Sequence, residues 1–566
     1  MNRQARQIDR WMQQAVQLHQ QGNLDGAEKG YRQVLAKQKR HPDALHLLGL
    51  VAHMRGNYPR ALQLIRDAIK VQSANPEYHY NLGNVEKAAG RFVASVRAFK
   101  QCLKYGPNHY QACNNLANTL DYLGRPEEAQ QYYQRALAIQ PHDGLTNANF
   151  GQSLMQSEQW PEARSVLKKA MSLSPGYAEV QASLALLECH QGNFELAEQY
   201  NQAALALKQG LRKAQVTAGY LKMAQGQRGE ARRMFNDLTA SATGFPDEAS
   251  ERLAMLEFFD GELESGFNHY EGRIQPRYTD LPRLTQAPTS EDRLLVVREQ
   301  GIGDEIRYAR FLHFLNAAGI QTAVLCEPRL QRLLSRSFEQ LDFISRDDFK
   351  PSTIKDRFSH EVAIASLGQF YPLPPSQSGR VSERGFLRPD TEQKAHWADR
   401  LTPSKPLRIG LAWRGAKQVS GRKDWYPPLE SLLQALSGRD ARVVSLQNRI
   451  TEAEQQLFEQ YGIELFIPES LDLLDDQDGL AALIANMDLV IGPSSAVSEL
   501  SAALGIPTWI VTGLHCHMWS TSEAYLQRFY LDCRVFAHEL GGGWEGTMKQ
   551  LVLELDRFIN QQEAQQ

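Results

Sequence analysis

The sequence predicts an all-α repeat array followed by an α/β half, and three observations carry that division. Small and apolar residues recur every 34 positions through the first 242 residues. The period stops at a stretch punctuated by Pro276, Pro282 and Pro288. Beyond it, short apolar runs alternate with helical stretches, the pattern of a parallel sheet. The expected organisation is repeats over 1–273, a linker over 274–292, a first α/β lobe over 293–400 and a second over 401–566.

The repeats rest on three series in one register. Turn glycines stand at Gly22, Gly56, Gly90, Gly124, Gly192 and Gly226, and Glu158 occupies the place where the series breaks. Five residues after each turn comes a small residue: Ala27, Ala61, Ser95, Ala129, Ala163, Ala197 and Ala231. Leu48, Leu82, Leu116, Phe150 and Leu184 keep the same spacing. Glycine turns the chain between helices at little steric cost, and a small side chain lets paired helices approach closely. Pro42, Pro76, Pro107, Pro141 and Pro175 fall where one unit hands over to the next. A 34-residue period with these features is the helix–turn–helix pattern of tetratricopeptide repeats. Seven repeats are expected between about residue 9 and residue 242, with a degenerate eighth in DGELESGFNHYEGR, 260–273.

Stacked repeats form a superhelix whose concave wall takes an extended partner segment. Asn81, Asn115 and Asn149 stand 34 residues apart, with Asn84 and Asn118 one helical turn away. A ladder of amides, each both donor and acceptor, can grip a peptide backbone without reading its sequence. The alternative is that these asparagines bond within their own repeats.

Composition bounds the function. Sixty-two basic residues against 65 acidic ones leave a charge of -3, which gives no general attraction to nucleic acid or an anionic membrane. Six cysteines with no CxxC pair suit a reducing compartment and argue against a zinc ribbon. The opening MNRQARQIDRW has no apolar core of a signal peptide. The longest uncharged apolar stretch, Ser501 to Leu514, contains Pro507 and is too short to span a bilayer. A cytoplasmic protein with no membrane span and no nucleic-acid partner is expected.

In the second half, strands are expected at LLVVRE (294–299), TAVLCE (322–327), LDFISR (341–346), LRIGLAW (407–413), ARVVSLQ (441–447), IELFIPE (463–469), DLVIG (488–492) and PTWIVTG (507–513). Ligands of such sheets bind at the carboxyl ends of the strands, and four loops there carry polar chemistry. REQGIGDEIRYARF (298–311) brings Gly301, Gly303 and Asp304 to a helix start, where glycines admit an anionic or sugar ligand; Ile306 breaks the dinucleotide fingerprint. WRGAKQVSGRKDW (413–425) carries Trp413, Arg414, Gly415, Lys417, Arg422 and Lys423, cations enough to neutralise a phosphate or diphosphate, or simply a solvated basic loop. In SLQN (445–448), Gln447 is placed to bond a base or ribose. GPSSAVSELSAALG (492–505) sets Ser494 and Ser495 at a helix N-terminus, an anion site or plain N-capping, with Glu499 one turn on, in reach of a ribose diol. His515-Cys516-His517 has no companion cluster, so no metal is expected, and a hydrolase has no GxSxG elbow.

In combination, EQGIGDEIRYARF, GLAWRG, SLQ and DLVIGPSSAVSELSAALGIPTW after the repeats resemble the bacterial repeat-containing glycosyltransferases. Their C-terminal half is similar to lipopolysaccharide heptosyltransferases, with the two-lobed GT-B fold, and GFNHYEGR also matches what that family carries before the linker. The resemblance implies inverting transfer from a nucleotide-activated sugar without a bound metal or other cofactor. It gives Asp304 the place of the general base, the 413–423 loop the donor phosphates, and Gln447 and the 492–499 loop the nucleotide. Heptosyltransferase-like members have an Asp-Thr pair followed by His in the last loop, where this chain reads Ser494, Ser495 and Glu499. A Ser-Ser pair here is similar to GT-B sialyltransferases, in which it holds the phosphate of CMP, although their His-Pro motif is missing from this half. The layout also resembles flagellin glycosyltransferases, which add a nonulosonic acid to Ser or Thr. The expectation is a protein O-glycosyltransferase with flagellin the leading acceptor and a CMP-linked donor favoured. The alternatives are a repeat scaffold with a silent GT-B lobe and a transferase acting on a glycan or lipid-linked acceptor.

Overall fold

The computed structural model describes residues 3–241, 247–273, 275, 277–299, 301–350, 357–373, 385–402, 407–415, 426–513, 522–538 and 543–565. It divides into two compact units, Met1–Val180 with Arg277–Asp280, and Gln181–Pro276 with Leu281–Gln566.

Sixteen helices among the described residues, from Arg3–Gln20 to Leu263–Tyr270, form eight antiparallel pairs of tetratricopeptide type. Each turn glycine from Gly22 to Gly226 has a positive φ, between 68° and 77°, and Glu158 adopts φ 58° in the same place. After each turn an N–H reaches back five residues, as in Asn23 to the Leu18 carbonyl and Gln227 to that of Lys222, both 2.9 Å. This is the left-handed helix stop that glycine makes cheaply. The seven small residues after the turns are fully buried. Within Pro76–Ala88, a Cβ on Gly83 would lie 2.6 Å from the Phe99 ring, so the missing side chain sets how closely that pair packs.

The eighth repeat differs from the expectation. It is a full pair, Glu248–Phe259 and Leu263–Tyr270, turning at Gly261 with φ 79°. Its turn comes 35 residues after Gly226 rather than 34, which took its first helix out of the register that revealed the others. Residues 277–280 of the expected linker lie on the first unit, where the Arg277 N–H donates to the Leu123 carbonyl and Asp280 accepts the Val93 N–H at 3.2 Å.

In the second unit, β1 (Arg293–Val297), β2 (Gln321–Cys326), β3 (Asp342–Ser345) and β4 (His360–Ala363) form a parallel sheet in the order β3-β2-β1-β4. A second parallel sheet contains β5 (Leu407–Leu411), β6 (Ala441–Ser445), β7 (Leu465–Phe466), β8 (Leu489–Gly492), β9 (Thr508–Gly513) and β10 (Cys533–His538), in the order β10-β9-β8-β5-β6-β7. The order reverses between β1 and β4, and again between β5 and β8. Such reversals splay the connecting loops and open a crevice at the carboxyl ends of the strands. β4 and β10 were not foreseen. β4 is only four residues long, and Glu361 within it is buried against the chain, its N–H donating to the Pro282 carbonyl at 2.9 Å.

One apolar core joins the last repeat to both sheets. Phe258, Phe267 and Tyr270 of the repeat pack in the same cluster as Ile306, Tyr308 and Phe311 after β1, Leu500 after β8, and Tyr525 and Phe529 after β9. A separate core lies under β5, β8 and β9, around Ile409, Trp413 and Trp509. Among the described residues, no helix is long and apolar enough to cross a membrane.

Candidate functional site

Two helix starts meet at the strand ends. The Ile302–Tyr308 helix begins after β1, and the Ala496–Ala503 helix begins after β8, so each leaves a strand that borders a reversal. A Cβ on Gly303 would stand 3.6 Å from the Ala496 Cα and 3.6 Å from the Glu499 Cγ. Two of the four loops selected from the sequence are thus neighbours, in ordinary van der Waals contact at Gly303. At Gly301 the space is tighter, since a Cβ there would lie 2.8 Å from an Asp304 carboxylate oxygen.

Asp304 is half-buried at this junction. Burial pushes its carboxyl up to about 6; Arg307 opposes the rise, Glu299 and Glu499 add to it, and Arg273 opposes it. A carboxylate so placed is ionised at neutral pH yet basic enough to take a proton.

Glu499 does not face a ligand. It is 3% exposed, and its carboxylate receives Nε of Arg307 at 3.1 Å, Nη2 of the same guanidinium, and the Tyr530 hydroxyl. Its expected ribose contact is therefore replaced by a buried ion pair between the two helices. Nearby, Arg273 of the YEGR stretch donates to Glu299 at 2.7 Å, to Glu271 at 3.1 Å and to the Ser366 hydroxyl at 3.3 Å. The YEGR stretch was noted in the sequence, but its ionic bond to Glu299 had no spacing signal. The Glu305 carboxylate, held up at about 7 mainly by burial, accepts Nε of Arg298 and the Glu327 N–H at 2.9 Å.

The second reversal is lined by the turn after β5. Gln447 is buried, its side-chain oxygen accepting the backbone N–H of Trp413 at 3.2 Å and of Arg414 at 3.1 Å, while its amide nitrogen donates to Asn448. Gln447 shapes this turn rather than meeting a base or ribose. Indole Nε1 of Trp413 donates to Glu454 at 2.7 Å, which turns the ring into the core, and Arg414 donates to the Arg449 carbonyl at 2.7 Å. A Cβ on Gly415 would lie 2.7 Å from the Tyr426 hydroxyl. Ser495 sits at the N-cap of its helix but makes no capping bond, and its enclosed hydroxyl has no partner among the described residues. Plain N-capping is thus not what Ser495 does; Ser494 beside it is half-buried. Lys417, Arg422, Lys423 and His515-Cys516-His517 lie outside the described residues. Among the described residues, no three metal-ligating side chains come together.

In the repeats, the asparagines bond mostly to the preceding repeat. Asn81 donates to His46 Nε2 at 3.1 Å, Asn115 to Asn84 Oδ1 at 3.0 Å and to the Tyr80 hydroxyl at 3.3 Å, and Asn149 to Asn114 at 3.4 Å. Asn118 accepts the Tyr133 hydroxyl at 2.8 Å, within its own repeat. All five are half-buried, so the amides run as a partly exposed chain that links repeats to one another.

Known proteins resemble this chain mainly through its repeats. Residues 13–78 and 80–144 match the tetratricopeptide repeat model, and residues 113–256 match the middle TPR-like domain of cilia and flagella-associated protein 70. The first half is a tetratricopeptide array. Protein FlbA of Caulobacter vibrioides is 30% identical over 336 residues, 54% of this chain and 56% of its own. The chain thus spans about half the length of the curated relative it matches. Among solved structures, Pseudomonas aeruginosa pilF is 18% identical, covering 37% of this chain and 95% of its own, at TM-score 0.34. A tetratricopeptide repeat protein of Parabacteroides merdae is 15% identical, covering 42% and 94%, at TM-score 0.37. Likenesses this slight say nothing of function.

Proposed function

We propose that this protein is a protein O-glycosyltransferase of GT-B type, whose repeats bind the acceptor and whose α/β half transfers a sugar to its Ser or Thr. The observation that carries the reading is the approach of Gly303 to Ala496, which sets the Asp304 loop beside the start of the Ser495 helix at the strand reversals. Asp304 takes the proton of the acceptor hydroxyl as its oxygen bonds the anomeric carbon. The bond from that carbon to the donor phosphate breaks, and the phosphate oxygen leaves with the electron pair. The leaving phosphate settles at the helix start, where amide N–H groups lack helical acceptors and the enclosed Ser495 hydroxyl has no partner among the described residues. Attack from the Asp304 side opposite the leaving group inverts the anomeric centre.

The family resemblance of the sequence favours a CMP-linked donor and flagellin as acceptor. A second reading, a repeat scaffold with a silent transferase lobe, draws on Glu499 and Gln447, both occupied within the protein. Thermal-shift titration with CMP, UDP, GDP and ADP separates the two. Stabilisation by one nucleotide supports a live donor site, because a ligand of the folded state raises the melting point. Absence of any shift sinks the transferase reading.

A further inference from the structure

We infer that the Arg307–Glu499 ion pair is the positioning element of the site, clamping the Ile302–Tyr308 helix to the Ala496–Ala503 helix so that the starts carrying Asp304 and Ser495 stay side by side. The inference rests on the transferase reading only for the names of the groups positioned. Its geometry is independent of that reading.

Arg307 stands one turn after Asp304, and Glu499 one turn after Ser495, so each partner lies below one of the two polar residues at the helix starts. Both side chains are 3% exposed, and the guanidinium engages both carboxylate oxygens. A two-pronged contact fixes rotation as well as distance. The surroundings add to it: the Arg307 guanidinium lies 5.5 Å from the centre of the Tyr525 ring, and Tyr530 donates to Glu499. The helix starts meet beside the pair, where a Cβ on Gly303 would stand 3.6 Å from the Ala496 Cα. A buried ion pair is seldom the best way to stabilise a core, since apolar residues of similar volume do as well or better. Orientation is what such a pair supplies and an apolar pair does not.

The pair also acts on Asp304 through space. The groups facing its carboxyl are Arg307 and Tyr308 on its own helix, Glu499 on the facing helix, Glu299 after β1, and Arg273 and Tyr270 from the last repeat. Glu499 raises the carboxyl and Arg307 lowers it. Replacing Glu499 with Gln therefore moves the acidic limb of a rate profile to lower pH.

The test uses the full chain carrying Glu499→Gln, and a second variant, Arg307→Met with Glu499→Leu, which leaves no unpaired buried charge and so protects folding. In transfer assays, Glu499→Gln is expected to lower kcat by up to about 100-fold, the loss that small misplacement brings, with the KM for nucleotide-sugar little changed and the acidic limb shifted down. Independently of transfer, Gly303→Cys with Ala496→Cys is oxidised to a cross-link, whose yield is expected to fall in both clamp variants. Native kcat with an unmoved limb, or undiminished cross-linking in both variants, overturns the inference. A parent protein that transfers no sugar from any donor sinks the transferase reading, while the cross-link yield still decides the clamp.

Discussion

The side-chain oxygen of Gln447 accepts the backbone N–H of Trp413 and, from the same atom, that of Arg414. One buried amide thus holds the first bend of the chain as it leaves β5. Substituting Gln447→Leu leaves two enclosed donors unanswered, at about 1–3 kcal/mol each if they stay dry. The expected result is a lower denaturant midpoint together with weaker nucleotide binding, both read by titration of the purified variant. Binding loss without any loss of stability would instead return Gln447 to direct contact with the nucleotide.

Asp304 gives a prediction in pH. Burial holds its carboxyl at about 6 in the folded chain, against an ordinary 3.8 when unfolded. Transfer is expected to fall on the acid side with a midpoint near pH 6, and Asp304→Asn to abolish it while nucleotide affinity stays close to that of the parent. The stability effect runs the other way. Because the folded value is raised, the contribution of the protonated form is fully present below the unfolded value and is lost as pH rises through about 6. At pH 8, Asp304→Asn should be more stable by about 1–3 kcal/mol, and the gap should close near pH 4. Thermal melts at the two pH values check it.

Glu158 occupies a backbone conformation that glycine holds in seven sister turns. An L-residue there carries a strain of roughly 1 kcal/mol. Glu158→Gly is expected to slow amide exchange in the flanking helices, Gly144–Gln156 and Trp160–Leu173. Unchanged exchange would mean that the Glu158 side chain compensates the strain.

Asn115 links two repeats through Asn84 and Tyr80. Asn115→Ala should lower the stability of the array by about 1 kcal/mol. If the amides also grip the acceptor, Asn81, Asn115 and Asn149 changed together to Ala should weaken acceptor binding while donor binding holds. A control with Asn118→Ala, whose partner Tyr133 lies within its own repeat, separates loss of stacking from loss of grip.

The repeats were legible because one structural unit is written seven times, so a glycine and an alanine at fixed offsets stand out against any background. The eighth escaped in part through a shift of one residue. Eight strands were legible as apolar runs, whereas β4, HEVA, begins with His360 and Glu361 and makes no apolar run. At the site, the loops were readable but the direction of the side chains was not. Ser495 and Asp304 stand at the helix starts, while Glu499 and Gln447, equally polar and equally close in sequence, turn inward to Arg307 and to the Trp413–Arg414 bend. Whether a polar residue meets a ligand or the protein depends on partners 192 or 34 residues away in the chain, and no local pattern encodes them.

The eighth repeat shares its core with both sheets, through Phe258, Phe267 and Tyr270. That makes the array open-ended in one direction only. Gain or loss of a 34-residue unit near the front leaves every surviving neighbour contact of the same kind. The same event at the rear would strip the sheets of part of their interior. Lineages of this protein are therefore expected to vary in length ahead of Val93, and chimaeras that borrow another array should place the joint there too, because Val93 and Leu123 hold residues 277–280.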